Sequence, residues 1–247
     1  MEDTKRFEIT STTLRIMAMA FMVCDHLWAT LIPANDWLTC VGRLTYPIFA
    51  FLAVEGYFHT GSLKKYVKRL FLFALLSEIP FNLVMGGGIF FPFHQNVLWS
   101  FLIGIMLIHI NEKAKAKGNV LIRIAAAIIT VVMGYVLGLV TMVDYLHGGV
   151  LTILVFYFFR EKKWQNFILQ VLLLWYINKE MLGGYSYVIE LFGREYFFVR
   201  QTLAVLALVP IWLYRGKQGY YSKGFQIFCY AFYPAHLLII ALISMII

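Results

Sequence analysis

The chain has 247 residues, of which 61% are hydrophobic and only 14% charged, and its mean hydropathy is +0.76. A soluble domain carries about 25% charged residues, so this composition excludes an ordinary soluble protein and predicts an all-α, polytopic membrane helical bundle. The formal net charge of +8 lies mainly in short loops, where it indicates membrane topology and no nucleic-acid site. The three cysteines show no metal-ligand spacing, so we predict neither a metal site nor a disulfide framework.

Nine apolar segments predict about nine transmembrane helices, because about 17–25 apolar residues span a bilayer. In chain order they cover 13–32, 43–59, 66–85, 97–111, 121–142, 145–159, 165–182, 198–214 and 225–246. The fourth and sixth segments are short, so counts of eight or ten stay open. We expect a single integral-membrane domain over 1–247, in which the first apolar run is kept as a span because no small-residue cleavage site clearly follows it.

The basic residues alternate between the ends of these segments. Seventeen of the 21 Lys and Arg residues, Lys5 and Arg6 among them, fall at one set of ends. The remaining four fall at the opposite ends, namely Arg43, Lys179, Arg194 and Arg200. The positive-inside rule places the crowded ends in the cytoplasm. This pattern predicts a multi-pass protein of the cytoplasmic (inner) membrane with its N-terminus in the cytoplasm.

The first segment carries ionisable residues that a transmembrane helix normally avoids. Arg15, Asp25 and His26 all lie within it, and each such group costs about 2.5–3.5 kcal/mol on insertion scales. Arg15 and His26 are eleven residues apart, so a helix places them about 20° apart in rotation and about 16 Å apart along its axis. A cation near one membrane surface and an imidazole deeper on the same face predict a site that opens to one side.

Later segments carry further ionisable groups at comparable depths. His26, Arg43, Glu78, Asp144 and His236 are candidates to converge on one cavity in the outer half of the membrane. Simpler interpretations stay open. Arg43 and Asp144 suit the membrane interface, Glu55 suits an ion pair with the following inner loop, and His236 suits a hydrogen bond to a neighbouring helix. Glu78 precedes Pro80, and we expect it in a functional or structural polar network.

Asp25 and His26 do not form an obvious dyad. Adjacent helical residues point about 100° apart and do not face each other. If a carboxylate orients His26, then Glu78 or Asp144 suits that role as well as Asp25 does, and Asp25 is alternatively the partner of Arg43.

Three stretches together resemble the TraX family of membrane proteins. They run from Leu14–Arg15 to Asp25–His26, from Gly42 through Phe51 to Glu55–Gly56, and from Lys64 through Ser77–Glu78 to Phe81. The segment Phe232-Tyr233-Pro234-Ala235-His236 also fits. The best-known member of that family acetylates the N-terminus of a conjugative pilin. The first helix is also similar to that of inner-membrane acyltransferases, which carry a basic residue, ten residues and then histidine.

The resemblance implies an acyl-CoA-dependent acyltransferase, most simply with acetyl-CoA as co-substrate and no metal. Arg15, Lys64, Lys65 and Arg69 are candidates to hold the phosphates of coenzyme A, although a purely topological role explains them equally well. His26 is the candidate general base or, alternatively, the acyl carrier. Arg43 is the candidate to stabilise the oxyanion or to hold a carboxylate.

The acceptor and the competing functions stay open at this level. An acceptor amine or hydroxyl on a peptide N-terminus, a glycan or a small molecule fits equally, and no oligomeric state is predicted. Buried Asp, Glu and His residues also suit a proton-coupled transporter or flippase. A non-enzymatic assembly partner that only packs beside other membrane proteins is the third interpretation.

Overall fold

The computed structural model describes residues 9–246, and most of them are helical. The helices are α1 (Ser11–Thr30), α2 (Asp36–Gly42), α3 (Thr45–His59), α4 (Leu63–Phe81), α5 (Val97–Ala116), α6 (Val120–Val140), α7 (Leu146–Phe158), α8 (Trp164–Tyr176), α9 (Leu208–Leu213) and α10 (Lys223–Ser244). Short π-helical turns extend α4 over Asn82–Gly86 and α8 over Ile177–Leu182. Lys5, Arg6 and both ends of the predicted domain 1–247 lie outside the described residues.

Polar capping residues explain where several helices begin. Thr10, Ser62 and Ser222 accept a hydrogen bond from the backbone N–H three residues later, at the starts of α1, α4 and α10. The side chain of Asn96 accepts from the N–H two residues later at the start of α5, and that of Asn119 accepts from the N–H groups two and three residues later at the start of α6. Each cap satisfies a donor that the first helical turn leaves free, and this sets the point at which an apolar run enters the bundle.

Helix α3 lies at the centre of the bundle. Nearly every residue from Thr45 to Glu55 is buried, and α1, α5 and α7 all contact this helix. The outer helices differ, because α6 leaves many large apolar side chains exposed, among them Leu121, Ile128 and Val140. Apolar side chains exposed along a whole helix are expected where lipid replaces water as the solvent.

Five helices of the described residues are long and apolar enough to cross a membrane. They cover Asp36–His59, Leu63–Gly86, Val97–Ala116, Val120–Val140 and Lys223–Ser244. Leu146–Phe158 and Arg200–Leu213 are apolar but shorter. Helix α1 has 20 residues but is not among the five, because Arg15, Asp25 and His26 lower its hydropathy. The chain is therefore a helical membrane protein, while the count of nine spans stays a prediction.

The sequence predictions were wrong about three local structures. The connection before the eighth segment contains an antiparallel hairpin of β1 (Ser186–Leu191) and β2 (Arg194–Val199), so the fold is not purely α-helical. The turn at its tip places Phe192 and Gly193 at φ of +53° and +71°, the conformation that suits a tight hairpin. The eighth segment begins as a 3₁₀ helix over Arg200–Ala207, and the second is preceded by α2.

Candidate functional site

His26 and His236 lie together at the centre of the candidate site, although 210 residues separate them in the chain. Helices α1 and α10 are in contact and bring Nδ1 of His26 to 2.7 Å from Nε2 of His236. The ring planes are 9° apart and the centroids 5.0 Å apart. The hydrogen-bond partner of His26 is therefore another imidazole, and not one of the three carboxylates considered from the sequence.

The surrounding hydrogen bonds assign the tautomers of this pair. Nδ1 of His236 lies 2.8 Å from the carbonyl oxygen of Phe232, which only accepts, so Nδ1 carries the hydrogen. A neutral His236 then accepts at Nε2, and His26 donates from Nδ1. A neutral His26 keeps its lone pair on Nε2, and no residue within 9–246 forms a hydrogen bond with that atom. The pair thus leaves one basic nitrogen free for chemistry.

A small pocket of about 40 Å³ has His26 in its wall. Asp25, Thr45 and Asp144 supply its other polar side chains, and Tyr46 and Tyr145 are among its aromatic ones. These residues come from α1, α3 and the turn before α7. The pocket therefore combines a candidate base with polar and aromatic side chains in a small volume.

A larger cavity of about 320 Å³ lies next to this pocket. It is lined by Arg15 near the start of α1 and by Arg69 on α4. The two cavities share five wall residues, which are Met22, Phe49, Val97, Phe101 and Tyr233. Arg15 and His26 therefore lie along adjoining cavities, as their spacing on one helix face predicts. The volume of the larger cavity falls within the range of about 300–1,000 Å³ that is typical of small-molecule sites.

Asp25 pairs with Arg43, as one of the alternatives predicted. The carboxylate also accepts a hydrogen bond of 2.8 Å from the hydroxyl of Thr39. Arg43 Nη1 donates to Gln201 Oε1 at 2.9 Å, and Arg43 Nε donates to the carbonyl oxygen of Thr39 at 3.3 Å. Gln201 in turn donates to Asn178 Oδ1 at 3.0 Å. Both charges are thus held within a polar network that joins α1, α2 and the segment before α9.

Glu78 belongs to a different polar cluster. Its Oε1 accepts hydrogen bonds from the side chains of Asn96 and Trp99, and from the backbone N–H of Asn96 at 3.3 Å. These contacts tie the end of α4 to the start of α5. Glu78 is not in the wall of the small pocket, so of its two predicted roles the structural network is the one that these contacts support.

Asp144 connects the small pocket to a neighbouring loop. Its Oδ1 lies 3.3 Å from Nε2 of His94 and accepts a hydrogen bond of 3.1 Å from the backbone N–H of Tyr145. Backbone hydrogen bonds of 2.8 Å join Gln95 to residues 142 and 144 and fix the loop in place. The hydrogen bond with Asp144 raises the pKa of His94 above its ordinary value of 6.5.

The basic residues proposed for coenzyme A fall into two groups. Arg15 and Arg69 line the larger cavity, whereas Lys64 and Lys65 are exposed and are not in its wall. The buried Nε of Arg69 has no hydrogen-bond partner among the described residues. Glu55 also lines this cavity, but Arg160 Nε donates to it at 2.6 Å. Because Arg160 neutralises Glu55, the charges of Arg15 and Arg69 give the cavity a net positive charge.

The pairing of Glu55 differs from the sequence interpretation. Its partner Arg160 comes from the loop after α7, whereas the prediction favoured the loop that follows its own helix. The second group near Glu55 is His59, with Nδ1 3.7 Å from the carboxylate. The ion pair forms across the bundle because α3 and α7 are in contact.

Sequence reasoning missed several residues of this site. Thr45, Tyr46, Tyr145 and Tyr233 line the small pocket, and they look like ordinary helix-start and aromatic residues in the sequence. His94 was not considered because it lies in a loop. The available signal was that Thr45 and Tyr46 fall inside the family-like stretch that begins at Gly42, and that Tyr233 falls inside the one that begins at Phe232.

Comparison with known proteins finds a family and a relative that match most of the chain. The family model described as "TraX protein" matches residues 10–244. A curated relative from Dichelobacter nodosus, named "Probable fimbrial assembly protein FimC, serogroup H1", is 23% identical over 257 aligned positions that cover 95% of each chain. No solved structure matches the chain. Since the family match covers nearly the whole sequence and contains both cavities, the chain belongs to the TraX family.

Proposed function

We propose that this protein is a membrane-embedded acyltransferase. It moves an acetyl, or other acyl, group from cytoplasmic acyl-CoA to an amine or hydroxyl acceptor at the outer half of the membrane. The observation that carries the proposal is the pair of adjoining cavities. One is lined by two arginines, and the other has in its wall a histidine with a free basic nitrogen.

The larger cavity suits the donor. Its guanidinium groups, Arg15 and Arg69, are suited to phosphate oxygens, which accept paired charge-assisted hydrogen bonds. Arg15 and His26 are separated by about 16 Å along α1, which is comparable to the length of the pantetheine arm. With the nucleotide end of CoA near Arg15, the thioester would lie at the walls shared with the small pocket.

His26 suits proton transfer in the small pocket. Nε2 of a neutral His26 takes a proton from the acceptor as the acceptor attacks the thioester carbonyl carbon. The resulting imidazolium still donates from Nδ1 to His236, which stabilises it. When the carbon–sulfur bond breaks, the same proton passes to the leaving thiolate. In the alternative route, Nε2 itself attacks the carbonyl and carries the acyl group.

The acceptor class is proposed from chemistry and from the relative. The Dichelobacter protein is named a fimbrial assembly protein, and this favours an acceptor group on a cell-envelope peptide. A glycan or a small amine or alcohol fits the same pocket. The basic ends of the helices would face the cytoplasm of an inner membrane, where acyl-CoA is available.

Acetyl transfer by the purified protein tests the proposal. Labelled acetyl-CoA is incubated with a short peptide that has a free N-terminal amine, or with glucosamine. Labelled product and free CoA are then measured for the parent and for His26→Ala. We expect about a 10²–10⁴-fold loss of rate in the variant, the range for removal of a general base. His109→Ala is the matched control, since His109 contacts Tyr57 at 3.1 Å and lines neither cavity.

Two results would decide against an enzyme. If His26→Ala turns over acetyl-CoA as fast as the parent, His26 is not the base or the carrier. If the parent releases no CoA and CoA does not raise its melting temperature, while sealed vesicles show proton-driven uptake, the protein is a transporter. Label that stays on the parent protein when acceptor is omitted, and is lost in His26→Ala, would identify the acyl-carrier route.

A further inference from the structure

Thr45 carries a buried hydroxyl group that lacks a hydrogen-bond partner. Thr45 is the first residue of α3, and its relative exposure is 9%. Its Oγ1 is buried, and among residues 9–246 no atom forms a hydrogen bond with it. The side chain lies in the wall of the small pocket, together with His26 and Asp25. The unpartnered hydroxyl thus belongs to the same pocket as the candidate base.

The hydroxyl of Tyr46, the next residue of α3, is also buried in the wall of this pocket without a partner among residues 9–246. Serine and threonine hydroxyls elsewhere in the described helices do have partners. Thr152 donates to the carbonyl oxygen of Gly148 at 2.9 Å, Thr130 donates to Ala126 at 2.8 Å, and Ser77 donates to Phe73 at 2.6 Å. A buried polar group without a partner destabilises the fold, so two such hydroxyls in the wall of one small pocket indicate a bound ligand group as their partner.

The pocket also requires a hydrogen-bond donor for acyl transfer. Attack on a thioester places negative charge on the carbonyl oxygen, and a preorganised donor there lowers the barrier. Arg43 was the sequence candidate for this role. Its guanidinium is instead bound to Asp25 and Gln201, and Arg43 does not line the small pocket. The hydroxyls of Thr45 and Tyr46 do line it, and neither has a partner among residues 9–246.

We propose that Thr45 Oγ1–H donates a hydrogen bond to the thioester oxygen as negative charge develops on it. This inference rests on the proposed acyltransferase function and adds a catalytic residue to it. The acceptor, or His26 Nε2 in the carrier route, forms the new bond to the carbonyl carbon. The carbonyl electron pair moves to the oxygen that Thr45 contacts. The pair returns as the carbon–sulfur bond breaks. In the general-base route the thiolate leaves with the proton that His26 took from the acceptor, whereas in the carrier route CoA leaves as the thiolate and His26 becomes an acyl-imidazolium.

Thr45→Val and Thr45→Ser separate this role from packing. Valine keeps the shape and removes the hydroxyl, so we expect acetyl transfer to fall about 100-fold or more, as for other oxyanion donors. CoA binding should stay the same. The melting temperature should stay the same or rise, because an unpartnered buried hydroxyl has been removed. Serine should retain activity within about tenfold of the parent. Thr152→Val is the control, since Thr152 is also buried and lines neither cavity.

The outcomes distinguish this inference from the proposed function. A parent that transfers acetyl, loses transfer with His26→Ala and keeps it with Thr45→Val overturns the role of Thr45 alone. Equal losses in the valine and serine variants also overturn it, since a packing effect would explain them. A parent that neither transfers acetyl nor releases CoA overturns both proposals.

Discussion

At the scale of single residues, the partner of His26 explains how an imidazole can be kept inside a membrane bundle. A carboxylate partner would add a buried charge, whereas the neutral imidazole of His236 accepts the same hydrogen bond without one. The nearby Arg43 is neutralised by Asp25. When a proton arrives on Nε2 of His26, Nδ1 stays bonded to its partner.

We expect the cavity-lining Arg69 and the exposed Lys65 to differ in their effect on CoA binding. Arg69→Gln should weaken binding of CoA to the purified protein by about tenfold or more, because a hydrogen bond to a charged group contributes about 1.5–3 kcal/mol. Lys65→Gln is the matched control. It removes one positive charge from the same helix, but the side chain is exposed and lies outside the cavity wall.

Isothermal titration at low and high salt measures both effects. The loss of CoA affinity in Arg69→Gln should persist at 0.5 M salt, since a buried pair of charges is screened less by salt than an exposed pair. Any effect of Lys65→Gln should be confined to low salt. Equal CoA affinities for the parent and Arg69→Gln would show that Arg69 does not bind the donor. A larger loss of affinity in Lys65→Gln would show that CoA binds at the surface and not in the cavity.

At the scale of elements, the short helix α2 holds the ion pair in place. Thr39 lies on α2 and donates to Asp25, and Arg43 follows directly after the last residue of that helix. Gly42 allows α2 to approach α1, because a Cβ there would lie 2.4 Å from Cβ of Asp25. The close contact between α1 and α2 therefore depends on a glycine at this position.

Gly42→Ala should displace Asp25 and destabilise the protein. Overpacking of a fitted site costs about 1–3 kcal/mol, so we expect a lower melting temperature in detergent together with reduced acetyl transfer. Gly61→Ala is the control, because a Cβ at that position would meet nothing within 4 Å. A Gly42→Ala protein as stable and active as the parent would show that α1 and α2 can separate without consequence.

The hairpin of β1 and β2 shows that the length of the apolar segments does not by itself predict all of the secondary structure. Its strands contain Val, Ile, Tyr and Phe, which favour β structure, and Phe192–Gly193 marks the turn between them. Each strand is too short to cross a bilayer, so the pattern of apolar segments predicts only a connection there. Six cross-strand residue pairs form the hairpin, and its strand propensity is present in the sequence.

At the scale of the whole molecule, the charge pattern predicts which face meets the cytoplasm. An epitope inserted after Gly88, in the loop before α5, should be accessible to antibody on intact spheroplasts. The same epitope after Gly118, in the turn between α5 and α6, should be accessible only after permeabilisation. The physical reason is that Lys113, Lys115, Lys117 and Arg123 surround the second site.

The epitope experiment has two controls and one result that would contradict the predicted topology. Both epitopes should react once the membrane is permeabilised, and both proteins should retain acetyl transfer. A reversed pattern would place the arginine-lined cavity on the outside, where acyl-CoA is absent, and would contradict the direction of transfer.

The sequence by itself determined that this is a helical membrane protein, that Arg15 and His26 share one face of α1, and that the chain resembles the TraX family. Those features depend on composition, on helix periodicity and on local motifs, all of which can be read within a few turns of chain. Only the tertiary structure decided that His26 pairs with His236, that Glu55 pairs with Arg160, and that Thr45 is left unpaired in the pocket. These contacts join distant helices or depend on what surrounds one side chain. They follow from how the helices pack and rotate against each other, and no local pattern of residues specifies that.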